Sequence, residues 1–209
     1  MGRKTLKSVQ KQLRRREEKK RLVEALDCVN KANLLKDPLE EFPAFRNFSN
    51  KDLTLSLECK RVKQLELSVV EWILRLEKSN MESLYNACDW GWDEEKKNSE
   101  LTDDMAWYLI AYTNDRVPVA FCHFRFDMDY AAVRRQKLGK FMMQVLELIA
   151  FKNHMKKVVL TVFKHNPGTL GFFKSLNYTL DSTSPEEEFC YLVLSKLNKR
   201  MCEVKDTKS

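Results

Sequence analysis

The residues best suited to chemistry lie in one block, VRRQKLGKFMMQVLELIA at 133–150. Arg134, Arg135, Lys137 and Lys140 crowd around Gly139, and an apolar helical pattern follows through Phe141, Val145 and Leu148, with Met142, Leu146 and Ile149 beside them. This pattern predicts a helix of about 14 residues beginning just after Gly139. A helix start leaves backbone N–H groups unpaired and carries the positive end of the helix dipole. With basic side chains beside it, such a start suits a phosphate group.

Other chemistries have less to work with. The chain holds six cysteines (28, 59, 88, 122, 190, 202) and three histidines (123, 154, 165). None of the cysteines forms a Cys-x-x-Cys pair, so no metal site is expected and the cysteines read as reduced thiols of an intracellular protein. No apolar run approaches the ~20 residues of a membrane span. Acidic positions at Asp103-Asp104, Asp127, Asp129 and Glu186–Glu188 would suit a basic substrate.

The elements that must position these groups follow from pattern. Residues 1–21 carry ten Lys/Arg and two Glu, whereas the other 188 residues are nearly neutral. This basic stretch is rich in helix formers, and Leu22, Leu26 and Val29 recur at a spacing that would dock a helix on the body. Pro38 and Pro43 mark 35–45 as an extended connector. Alternating Leu53, Leu55 and Leu57 read as a strand. Val69, Ile73 and Leu76 after Ser68 read as a helix, followed by a second short helix at 81–88. Residues 89–104 read as a polar, acidic and aromatic loop with a short helix.

Residues 107–113 and 117–127 form a hairpin pattern, 157–163 a buried strand and 167–176 a short helix. Strands at 178–181 and 189–194 complete the set. The fold class is mixed α/β (α+β), a sheet flanked by helices. The expected organisation is a basic helical arm (1–34), one catalytic domain (35–198) and a polar tail (199–209).

The order basic loop, helix, strand, His165-Asn166-Pro167-Gly168, aromatic helix and Asn177-Tyr178 resembles the GNAT acetyltransferases. The strings DPLEEFPAF, LECKRV, DWGW, LTDDMAWYLIAY, VPVAFCHFRFD, LGKF and KKVVLTVFKHN resemble more closely the NatD-type N-alpha-acetyltransferases, over almost the whole chain. That resemblance implies acetyl transfer from acetyl-CoA to the N-terminal Ser amine of histone-4 and histone-2A tails. It implies coenzyme contacts at Arg135, Gln136, Lys137, Leu138, Gly139, Lys140, Thr161 and Asn166. It also implies substrate contacts at Tyr85, Trp90, Asp127 and Tyr191, the last a possible proton donor to the leaving thiolate. Cytoplasm and nucleus are the compartments implied. The arm fits nuclear import or chromatin contact.

One departure matters. The family places a further strand, bearing a catalytic Glu, between the hairpin and the basic loop. Here only MDYAAV (128–133) separates Asp127 from Arg134. Six residues span at most about 20 Å, too little for a turn plus a strand of ~5–6 residues. Lys137 also stands where the family has the first loop glycine. No catalytic Glu is therefore assigned, and neither Glu147 nor Asp129 replaces it. The expectation is a family member with a shortened, impaired centre. The alternatives are a tail-binding relative without catalysis, and a nucleic-acid-binding module using the arm, which lacks interleaved aromatics.

Overall fold

The computed structural model describes residues 6–50, 53–88, 90–127, 137–185 and 189–198. The expectations for Arg134, Arg135, Gln136, 128–133, Glu186–Glu188 and the 199–209 tail lie outside the described residues.

The chain opens with helix α1 (Leu6–Asn33). Its docking differs from the pattern's prediction: Leu22 and Leu26 stay exposed, and among its described side chains Val29 and Ala32 are the buried ones. Side chains from Gln12 to Glu24 are all exposed, and the buried side chains described on α1 lie in its last two turns. Asn33 donates from Nδ2 to the Phe126 carbonyl (2.9 Å), and the Arg61 guanidinium donates to the Asn33 carbonyl.

The segment read as an extended connector is instead folded into turns and a 3-10 turn at Pro43–Arg46. Asp37 causes this: its carboxylate accepts from the Leu39 amide at 2.8 Å and pairs with Arg46, and Leu39 is fully buried. A short strand that the pattern did not predict follows, β1 (Asn47–Asn50). It pairs antiparallel with β2 (Leu53–Arg61).

The two helices expected after Ser68 are one helix, α2 (Leu67–Asn86), with Glu66 rather than Ser68 at the boundary. Nothing between residues 76 and 86 breaks a helix: no Pro or Gly occurs there. Helix α3 (Glu94–Leu101) is capped by Asp93, whose side chain accepts from the Lys96 amide, and has Glu94 and Glu95 in its first turn, the favoured sign there.

Strands β3 (Trp107–Tyr112) and β4 (Pro118–Phe124) form the expected hairpin, with Arg116 at φ 62° closing its turn. Helix α4 (Lys137–Lys152) starts two residues before Gly139, which therefore lies inside the first turn. Strand β5 (Lys157–Phe163) matches its pattern. Helix α5 (Pro167–Ser175) begins with Pro at its first position, where no N–H is needed. Asn177 then turns at φ 64°, a conformation Asn tolerates. Strands β6 (Thr179–Leu180) and β7 (Tyr191–Leu197) end the described fold, β7 running further than predicted.

The strands make two antiparallel sheets, ordered β1-β2-β3-β4 and β5-β7-β6. The main core (Leu57, Trp107, Leu109, Met142, Val145, Leu160 and Phe173 among others) lies against α4 and α5 and is shared by both sheets. A second core (Val69, Ile73, Tyr108, Ile110 and Tyr112) lies between β3 and α2. Alternate residues of β3 therefore feed opposite faces, which is why all six are buried. The result, among the described residues, is a mixed α/β fold with antiparallel sheets flanked by five helices.

Candidate active site

Among the described residues no ladder joins β4 to β5. Each pairs on one side only, β4 with β3 and β5 with β7. Between them opens a cleft of about 1130 Å³. Its walls are β4, the ends of β1 and β2, the first turns of α4, the β5–β7 pair, and parts of α2 and α3.

The first turn of α4 brings Leu138, Gly139 and Met142 to the cleft. Apolar burial of Met142, Met143, Val145 and Ile149 holds the helix in place, so its N-terminus is fixed by the core behind it. A Cβ added to Gly139 would sit 3.5 Å from Cζ of Phe172, an ordinary contact. The fold itself does not demand glycine here. Thr161 of β5, half-buried and paired with Val193, faces the same cleft.

An aromatic wall closes one side. Trp90 packs on Tyr191 (centroids 4.7 Å apart) and on Phe163 (5.8 Å), and Tyr85 packs edge-on against Phe163 at 5.1 Å. Register explains part of this: Tyr191 and Phe163 are opposite one another across β5 and β7. Trp90 is about half exposed (47%) and forms the rim.

Lys97 sits with Nζ 4.7 Å above the Tyr85 ring and 2.8 Å from Glu100. Burial pulls the Lys97 ammonium down, but Glu100 and Tyr85 outweigh this and hold it above its ordinary value. Burial pushes the Tyr85 phenol up, against the opposing effect of Lys97. Both groups keep their neutral-pH protonation states. Asp127, exposed at the cleft edge, follows β4.

Tyr85, Trp90, Asp127, Tyr191, Leu138, Gly139 and Thr161 therefore meet around one cleft. Lys140 is exposed and does not line it, and Lys137 is in the first turn of α4. Asn166 stands apart too: its Oδ1 accepts from the Thr169 amide at 3.1 Å and caps α5. Lys97, Glu100, His123 and Phe163 also line or border the cleft, although the sequence pattern did not mark them as site residues. The only signal for Phe163 was its place at the end of a strand. His123 stacks on Tyr108 at 5.2 Å, and its Nε2 is buried with no hydrogen-bond partner. Burial, aided by Arg125, pushes its imidazole down to about 4, so it is neutral at pH 7.

Glu147 is buried on the far face of α4, where Tyr178 Oη donates to it at 3.1 Å and Lys196 Nζ pairs with it at 2.7 Å. It ties α4 to β7 and does not line the cleft. Among the described residues no three His, Cys, Asp or Glu side chains group to hold a metal ion. No described helix is long and apolar enough to cross a membrane.

Solved structures of similar fold include an acyl-CoA N-acyltransferase from Pseudomonas aeruginosa (15% identity, covering 68% of this chain and 99% of that one, TM-score 0.49). Another is the spermidine/spermine N-acetyltransferase SpeG from Vibrio cholerae (13%, 73% and 97%, TM-score 0.46). A third is the Campylobacter jejuni N-acetyltransferase PseH in complex with acetyl coenzyme A (11%, 68% and 99%, TM-score 0.44). The acetyltransferase (GNAT) family model matches residues 71–178. That match runs over more than half of the chain, from within α2 through β3, β4, α4 and β5 to the turn after α5, and the chain accordingly belongs to the GNAT acetyltransferase family.

Proposed function

We propose that this chain transfers acetyl from acetyl-CoA to the N-terminal amine of a basic protein tail, of the Ser-first kind found on histone-4 and histone-2A, in the cytoplasm and nucleus. One observation carries the reading: the α4 start and Thr161 meet an aromatic and acidic rim (Tyr85, Trp90, Tyr191, Asp127) across a single cleft. The α4 N-terminus offers backbone N–H groups and a positive dipole end to the pyrophosphate of the coenzyme. The faces of Tyr85, Trp90 and Tyr191 attract a cationic side chain, and Asp127 attracts a basic tail.

The chemistry asks little of acid–base groups. An alpha-amine titrates near ~8, so a useful fraction is neutral at physiological pH. Its nitrogen attacks the thioester carbonyl and gives up one proton to solvent, the tetrahedral intermediate collapses as the C–S bond breaks, and the departing sulfur takes a proton, for which the Tyr191 phenol is the candidate donor, regaining its own from solvent. The site supplies mainly orientation.

A second reading is favoured by the unjoined sheets. The six residues between Asp127 and Arg134 are too few for a turn plus the strand whose backbone would donate to the tetrahedral oxyanion. Loss of one such donor costs about 10²–10³ in rate. A tail-binding protein with slow or no transfer is the outcome in that case.

Incubation with acetyl-CoA and a Ser-Gly-Arg-Gly-Lys peptide, followed by mass spectrometry, tests the first reading. Enzyme-dependent gain of one acetyl at the alpha-amine is expected. Peptide binding by calorimetry with no mass gain would replace it with the second reading. Neither binding nor transfer would remove both.

A further inference from the structure

Helix α1 stands away from the body, and nothing in the acetyl-transfer reading uses it. From Gln12 to Glu24 every side chain is exposed, a stretch of about 20 Å at ~1.5 Å per residue. A helical stretch whose side chains bury nothing gains little stability from the fold it belongs to.

Its charges are sorted. At 3.6 residues per turn, Arg15 and Lys19 fall in one row, Arg16 and Lys20 in the next, and together they cover an arc of about 140°. Glu17, Glu18 and Glu24 all fall outside that arc. The single acidic contact to the group is a loose one, Lys20 to Glu24 at 3.7 Å, with both side chains well exposed. Between Gln12 and Glu24 the arc is thus acid-free, held in helical register and pointed at solvent, and Asp27, which next enters it, pairs with Lys31.

We propose that this face of α1 binds the phosphate backbone of duplex nucleic acid, without reading its sequence. A duplex presents one negative charge per ~1.7 Å, and four aligned cations would release its condensed counterions. The α1 sequence contains no aromatic residue, so it offers no stacking surface to single strands. Of its exposed aliphatics, Leu13 precedes the basic rows and Leu22, Val23 and Leu26 follow them, and none lies opposite the arc, which is not the arrangement of a helix lying in a bilayer interface. The base of α1 is clamped through Asn33 to Phe126, next to the cleft-lining Asp127. A duplex held by the arm would therefore lie at a fixed position relative to the cleft.

The test uses the full chain and a fluorescent DNA duplex of about 25 base pairs, with anisotropy measured from about 50 to about 200 mM salt. Binding is expected with log K falling against log salt at a slope of about −3 to −4, roughly a hundredfold loss across the range. The variant R15Q/R16Q/K19Q/K20Q keeps good helix formers, which circular dichroism verifies. It should lose most of the affinity and flatten the slope. The variant L22S/L26S should change neither. Equal binding by the fourfold Gln variant would overturn the proposal. So would single strands outcompeting the duplex, or phosphatidylserine vesicles capturing the chain while the duplex does not. A loss as large in L22S/L26S as in the Gln variant would also overturn it, pointing to a protein or lipid partner.

Discussion

Asn33, the last residue of α1, donates a hydrogen bond to the carbonyl of Phe126, ninety-three positions away, at 2.9 Å. Through it the end of the basic arm is joined to the strand that delivers Asp127 to the cleft. Asn33→Ala removes the donor and leaves the Phe126 carbonyl without it. A loss of about 1 kcal/mol is expected, read as a lower urea midpoint with unchanged slope.

Gly139→Ala separates fold from chemistry. The added Cβ meets Phe172 at an ordinary distance, and Ala in a helix is favoured over Gly by about 0.5–1 kcal/mol. Thermal stability should hold or rise. The proposed coenzyme contact needs close backbone approach, so the apparent affinity for acetyl-CoA should fall tenfold or more. If it stays the same, the coenzyme does not approach Gly139.

Trp90→Ala should leave stability within about 0.5–1 kcal/mol, because the ring is about half exposed. The acceptor-peptide KM should rise about tenfold, as expected when a cation–π interaction at a partly shielded site is removed. Titration of peptide with acetyl-CoA held saturating measures it.

His123 adds an acid sensitivity. Its folded pKa of about 4 is below the ordinary 6.5, so the unfolded chain binds a proton that the folded chain refuses. Above pH 6.5 this costs nothing. As pH falls from about 6.5 to about 4, stability should decline by about 3 kcal/mol in total from this one group. His123→Phe keeps a ring on Tyr108 and removes the orphaned nitrogen. Denaturation curves of this variant across the same pH range should lack that decline.

Asp181 works in the opposite sense. Burial pushes its carboxyl up, but Lys157, Ser195 and Thr183 outweigh this and hold it well below the usual carboxylate range. Its contribution is present above the unfolded carboxylate pKa of ~4 and is lost as pH falls through the folded value. Lys157 Nζ reaches both carboxylate oxygens, at 3.0 and 2.8 Å. Lys157→Met strands a buried charge and should cost about 3–5 kcal/mol. The double variant with Asp181→Asn should recover part of the loss.

The elements were legible where local rules decide them. The hairpin turn at 114–116, the strand at 157–163, Pro167 opening a helix and Asn177 turning after it all follow from residue type alone. Local rules failed where distant partners intervened. Leu39 is buried because Asp37 and Arg46 fold its segment, and neither the Asp37–Arg46 pair nor the burial shows as periodicity. Leu22 and Leu26 have helical spacing, yet no surface of the body lies opposite them. Spacing identifies a helix face and is silent on whether anything covers it.

For the site the division is similar. By itself the sequence determined the basic run into an apolar helix, the family strings, and the short link between Asp127 and Arg134, because these are counts and orders along the chain. Only the tertiary structure decided that Phe163 joins Tyr85, Trp90 and Tyr191 in one wall, that Asn166 is committed to capping α5, and that β4 and β5 stay unjoined across the cleft among the described residues. Those relations depend on strand register and on packing between segments up to a hundred residues apart, which no local pattern encodes.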